Sequence, residues 1–123
     1  MLENKKETDN VHKNLKERII KDFLDLIVLT ELQNGSLSGY DIISIVFRRY
    51  RFLISAGTVY SQLYKLERTG LIECTLCEKK KIYSLTSHGK FTIDTIMKET
   101  FMKYSVESFR KTYDPTFSGN AAT

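Results

Sequence analysis

A chain of 123 residues and 14.3 kDa has room for one modest apolar core and excludes two full domains. Hydrophobic residues at 41% and charged residues at 28% exclude a wholly disordered chain, and six glycines with one proline favour long regular elements over many tight turns. The net charge of +4 and the pI near 9.0 are compatible with a polyanionic partner, and the excess is local: between positions 48 and 68, Arg48, Arg49, Arg51, Lys65 and Arg68 are set against one acid, Glu67.

The N-terminus, MLENKKETDNVHKNLKER, has no apolar run of signal-peptide type, and the longest apolar patch, Leu26 to Leu29, is core-sized and far short of a membrane span. The expected location is therefore the cytoplasm, with reduced thiols. Residues 1–8 are polar and expected to fray. Val11, Leu15, Ile19 and Phe23 then recur every four residues and predict a helix from about Asp9 to Lys21. The run DFLDLIVLTEL carries apolar groups around most of a helical circumference, as a central helix does, and Asn34-Gly35 stops it.

Ser38 is placed to cap a helix through Tyr40, Ile42, Ile43, Val46 and Phe47, with Asp41 favourable in its first turn. That helix ends in the basic segment RRYR. Ser55 is the next good N-cap, and the helix after it carries Val59, Leu63 and Leu66 at i, i+4 and i+7, closed by Gly70. The period then changes. Leu71 to Leu76 and Lys81 to Leu85 read as two strands of a hairpin around a charged turn. Thr86 caps a final helix in which Ile93, Ile96, Met97, Phe101 and Tyr104 share a face.

The order is mainly α with a small β-hairpin, and helix–helix–helix–hairpin at its centre is the winged helix-turn-helix arrangement. It predicts a helical extension over residues 1–21, the winged domain over 22–87, a C-terminal dimerisation helix over 88–112 and a flexible tail over 113–123. Such a domain needs a recognition helix with one apolar face on its own core and an opposite face able to reach groove edges. With Val59 as origin and about 100° per residue, Leu63 and Leu66 fall within about 40° of it. Gly57, Ser61, Tyr64, Lys65 and Arg68 project the other way.

Small groups at Gly57 and Ser61 would admit close backbone approach to DNA, while Thr58, Tyr60 and Tyr64 offer hydroxyls to phosphates or base edges. The helix N-terminus around Ser55 suits a phosphate. In the hairpin, Lys79, Lys80 and Lys81 place three ammonium groups at a tip, where they would follow a backbone or enter a minor groove. A basic helix face alone is commonly solvated surface, and lysines at a hairpin tip commonly block edge-to-edge association. Their coincidence in this topology favours double-stranded DNA. The alternative is a winged-helix module whose same helix faces a protein.

The chain also resembles the PadR-like winged-helix transcriptional regulators, of the type with a short C-terminal region. The resemblance runs from LIVLTELQNGSLSGYDI through SAGTVYSQLYKLERTGLIE to KIYSLTSHGK, about Asp22 to Lys90. It implies a homodimeric regulator, usually a repressor, on a palindromic operator, with contacts from Ser55, Thr58, Tyr60, Ser61, Tyr64 and the basic wing. It also implies room for a small-molecule effector of aromatic or drug-like character between dimer helices, though no residue pattern names one. The chain departs from its relatives at Ser61, where many have proline, and in lacking a Gly-Arg pair before the wing lysines.

Two apolar stripes, Val11, Leu15 and Ile19 at one end and Ile93, Ile96, Met97, Phe101 and Tyr104 at the other, exceed what a monomer normally leaves in water. Burial against a second copy is expected, with recognition helices about 34 Å apart. The competing arrangement packs the two terminal helices on each other. Cys74 and Cys77 have the spacing of a zinc half-site or a redox pair, but zinc needs two more ligands, and neither a second cysteine pair nor an H-x₃₋₅-H is present. One partly buried and one exposed thiol are expected, with a redox-sensing role as the minor reading. No nucleotide-binding loop and no nucleophile–base–acid set occurs, so neither an enzyme nor a cofactor is expected.

Overall fold

The computed structural model describes the backbone of residues 2–113 and the side chains of residues 4–102. Among the described residues, five helices and three strands follow in order: α1 (Leu2–Asp22), α2 (Leu24–Leu32), β1 (Leu37–Ser38), α3 (Gly39–Tyr50), α4 (Ala56–Arg68), β2 (Ile72–Cys77), β3 (Lys80–Leu85) and α5 (Ser87–Tyr113). The chain divides into two compact units, Met1–Lys90 and Phe91–Thr123. The first holds α1 to β3 and the first turn of α5. The second continues α5, with Ile93 fully buried and Ile96, Met97 and Phe101 exposed. Among the described residues no helix is long and apolar enough to cross a membrane, and no cluster of side chains could hold a metal ion.

The first helix begins at Leu2, not near Asp9. The segment expected to fray consists largely of glutamate and lysine, which favour helix without any apolar stripe, and the Thr8 hydroxyl donates back to the Asn4 carbonyl at 2.8 Å. Periodicity registers an apolar stripe, and residues 4–8 carry none, so it missed this stretch. The central α2 contributes Leu24, Val28, Leu29 and Leu32 to the core and packs on α4, which brings Val59, Leu63 and Leu66 and also packs on α3 with its buried Ile42 and Val46. Ile54, Ile72 and Tyr83 complete the core.

The strand β1 is the element that period-two reading could not find, since two residues contain no alternation. It pairs antiparallel with β3, Leu37 opposite Tyr83 and Ser38 opposite Ile82, so the sheet order is β1-β3-β2. Between β2 and β3, Glu78 and Lys79 form a two-residue turn with φ of 52° and 68°. Positive φ at both central residues gives a turn whose twist matches that of the strands it joins.

Two local constructions hold these parts in place. Ser38 caps α3 reciprocally: the Asp41 amide donates to Ser38 Oγ at 3.1 Å, and the Ser38 amide donates to Asp41 Oδ2 at 3.0 Å. The Ser38 amide and hydroxyl, with Lys80 and Arg48 further off, hold the Asp41 carboxyl below the usual carboxylate range. At the other end of the sheet, the Thr86 hydroxyl donates to the Gly70 carbonyl at 2.6 Å and accepts from the Gly89 amide at 3.0 Å, tying the start of α5 to the exit of α4. A Cβ on Gly89 would overlap the Leu71 carbonyl oxygen, a backbone atom with little freedom to retreat.

Gly89→Ala is therefore expected to destabilise the fold by about 1–3 kcal/mol, read as a lower denaturation midpoint at unchanged slope. Ser38→Ala should cost about 1 kcal/mol through loss of the cap. Because folding lowers the Asp41 pKa, its contribution is fully present above the ordinary carboxylate range and is lost as pH falls through the folded value. The Asp41→Asn variant should lack that part of the acid dependence in a pH series of denaturation midpoints.

Candidate nucleic-acid interface

Helix α4 is presented by its two faces. Val59, Leu63 and Leu66 are buried, which fixes one side against α2 and α3. Gly57, Ser61, Tyr64, Lys65 and Arg68 are exposed on the other, as their angular positions require, and Tyr64 keeps 60% of its surface. The Arg68 guanidinium lies over the Tyr64 ring, 5.7 Å from its centroid, an arrangement that restrains both side chains one turn apart on the outward face.

At the start of the helix, Ser55 has extended backbone angles and its Oγ accepts from the Thr58 amide at 3.2 Å. The Ser55 and Thr58 hydroxyls are also 2.8 Å apart, so the two expected phosphate ligands form one hydroxyl pair at the helix entry. A Cβ on Gly57 would meet nothing within 4 Å. Nothing inside the protein accounts for glycine here, where a side chain would favour the helix. The bare backbone instead leaves the first turn open to an approaching surface.

Lys79, Lys80 and Lys81 are all exposed, but they do not form one tip. Lys79 occupies the turn, while Lys80 and Lys81 are successive residues of β3 and point to opposite faces of the hairpin. Lys80 lies near enough to Asp41, at the start of α3, to act on its carboxyl. Tyr60 of α4 reaches the same place. A Cβ on Gly39 would come within 2.5 Å of its Cζ, so the far end of the ring sits on the first residue of α3. The wing and the outward helix thus converge on the N-terminus of α3.

One basic residue of the 48–68 stretch also has a partner inside the protein. The Arg49 Nε lies 3.1 Å from Oε1 of Glu31, a nearly buried carboxylate on α2, and this pair joins α2 to α3. No local pattern signalled it, because the partners are far apart in sequence; the only trace is an acid within the apolar run of α2. Arg51 ends α3 in a left-handed conformation with φ of 53°.

Away from this face, Val11, Leu15, Ile19 and Phe23 are each at least half exposed along α1. Leu15, Ile19 and Phe23 line a groove of about 430 Å³ together with Ile20, Ile27 and Tyr50, and with His12 and Lys16. Of the apolar residues expected at a dimer interface on the last helix, Ile93 is fully buried within the chain and so has no surface to offer, and Tyr104 lies outside the residues whose side chains are described. Both cysteines are free thiols, Cys74 half-buried and Cys77 exposed. Cys74 is paired across the sheet with Tyr83, whose phenol is pushed up to about 12 chiefly by burial and then by Cys74, so Tyr83 is neutral at physiological pH.

The fold recurs among solved structures. A PadR family transcription regulator from Clostridium difficile R20291 is 26% identical, with a TM-score of 0.61 over 71% of this chain and 97% of the other. A PadR-like regulator from Bacillus cereus ATCC 14579 matches with a TM-score of 0.63 at 21% identity, over 74% of this chain and 93% of its own. Bacillus subtilis PadR, solved in complex with operator DNA, is 30% identical over 60% of this chain and 46% of its own length, with a TM-score of 0.50. No curated protein sequence matches the chain. The sequence model described as the transcriptional regulator PadR-like family matches residues 28–95, more than half of the chain. A winged helix-turn-helix with this sequence match belongs to the PadR-like family, whose members are transcriptional regulators and not enzymes.

Proposed function

We propose that the chain is a sequence-specific double-stranded DNA-binding repressor that acts as a homodimer on an inverted-repeat operator. The observation that carries this reading is the outward face of α4: exposed, small at its start, hydroxylic and basic beyond, with a basic wing meeting it at the start of α3. Ser55, Gly57, Thr58, Ser61, Tyr64, Lys65 and Arg68 would line the major groove or its phosphates. Lys79, Lys80 and Lys81 would lie along the flanking backbone. The relative from Bacillus subtilis held on operator DNA supports the same use of the fold.

Symmetry follows from the apolar surface. Val11, Leu15 and Ile19 on α1, with Ile96, Met97 and Phe101 on α5, are too extensive an apolar surface to leave in water, and pairing with a second copy would bury them. A two-fold dimer would then present two copies of α4 to successive turns of one DNA face.

Binding should fall steeply with salt. Alanine at Lys79, Lys80 and Lys81 together should weaken binding to every duplex and flatten the salt dependence, by roughly 0.9 in logarithmic slope per lost phosphate contact. Since Lys80 and Lys81 face opposite ways, the single variants should be unequal. Undiminished binding by the triple variant would remove the wing from the interface. Gly57→Ala should act in two opposed directions, stabilising the protein by about 0.4–1 kcal/mol while lowering DNA affinity, as measured by thermal melting and by anisotropy titration. Light scattering of the wild-type chain at micromolar concentration should give a dimeric mass, and Leu15→Asp with Ile19→Asp should give a monomeric one. A monomeric wild type would overturn the symmetric arrangement.

A further inference from the structure

We infer that Tyr60 is a positioning residue, whose ring, seated on the backbone of Gly39, sets the roll of α4 about its own axis and thereby the sequence preference. The inference rests on the reading that α4 faces DNA, and it gives Tyr60 a task other than offering its hydroxyl to a phosphate or base.

The anchors of α4 explain why such a residue is needed. Val59, Leu63 and Leu66 form a single narrow stripe along the helix. A stripe holds a helix at a fixed height above the core but resists rotation about the helix axis poorly, because turning by a small angle exchanges few of its contacts. Tyr60 lies to one side of that stripe. The residue keeps 44% of its surface, so more than half of it is covered. A Cβ built on Gly39 would stand 2.5 Å from Cζ and 2.7 Å from both Cε1 and the hydroxyl oxygen. The contact is thus made by the tip of the phenol, at the greatest lever arm available, and only glycine admits it.

The surface that receives the ring is rigid. Gly39 is the buried first residue of α3, directly after the capping residue Ser38, which is bonded to Asp41 and belongs to β1. Through the pairing of Ser38 with Ile82, that point is continuous with the wing strand, and Tyr60 lies close enough to Tyr83 of β3 to act on its phenol. The ring therefore braces α4 against the junction of α3 and the wing. Any roll of the helix would re-aim Ser61, Tyr64 and Lys65 by the same angle relative to the wing lysines.

The test uses the full chain and two duplexes: one recovered by the wild type from a randomised library, and one of the same composition with scrambled order. Tyr60→Phe retains the ring edge and should preserve the ratio of the two affinities. Tyr60→Ala should lower that ratio about tenfold, with the salt slope unchanged, because no phosphate contact is lost. Gly39→Ala adds a methyl group on a different helix, leaves the phenol intact, and displaces only the far end of an exposed side chain; it should lower the ratio similarly. In the Tyr60→Ala background it should have no further effect. A loss with Tyr60→Phe as large as with Tyr60→Ala would show that the hydroxyl reads the DNA and would overturn the inference, as would additive losses in the double variant.

The contact has a readout without DNA. The Gly39 amide resonance should carry a ring-current shift that persists in Tyr60→Phe and vanishes in Tyr60→Ala. Equal wild-type affinity for both duplexes would instead overturn the functional reading, and with it the part of Tyr60 in specificity, while the resonance would still decide whether the brace exists.

Discussion

The reciprocal cap at Ser38 and Asp41 is the interaction on which the arrangement of this protein turns. It fixes the first residue of α3 in space, and three otherwise separate parts are referred to that point. The residues Leu37 and Ser38 are held to β3 as the third strand, so the hairpin cannot swing as an independent arm. Gly39 receives the Tyr60 ring from α4. Lys80 of the wing stands within electrostatic reach of Asp41. A short cap of two hydrogen bonds thus relates the outward helix to the wing, and a two-part surface can match a double helix only if that relation is constant.

The remaining architecture supports this point from behind. The apolar α2 packs on α4, and its one nearly buried acid, Glu31, takes up Arg49 at the end of α3. A carboxylate removed from water requires a partner, and Arg49 supplies it across the two helices while its own side chain stays largely exposed. On the far side, Thr86 and Gly89 fasten the first turn of α5 to the Gly70–Leu71 corner. Core, cap and corner are each satisfied internally. Exposed apolar residues along α1 and α5 are not, and neither is the vacant space beside Gly57. The features without an internal explanation are the ones that a second copy and a nucleic acid would use.

Much of the candidate surface was legible without coordinates, for a definite reason. The helical period separates Val59, Leu63 and Leu66 from Ser61, Tyr64, Lys65 and Arg68, and burial follows that separation directly. Capping residues are equally local: Ser38, Ser55 and Thr86 each stand at a helix start, with side-chain oxygens accepting from amides three residues on. What local reading blurred was the wing. Three consecutive lysines look like one cationic tip, but a strand turns successive side chains to opposite faces, and the position of the two-residue turn decides which lysine belongs to which face.

By itself, then, the sequence determined the order of the elements, the inward and outward faces of α4, the caps and the family, because each depends on residues within a few positions of one another or on a motif preserved along the chain. Only the tertiary structure decided that Leu37 and Ser38 complete the sheet, that Arg49 answers Glu31 and that Gly39 carries Tyr60. Each of these joins residues far apart along the chain. A two-residue strand, a lone acid in an apolar helix and a glycine before a tyrosine carry no period of their own, so their partners become definite only once the helices have packed.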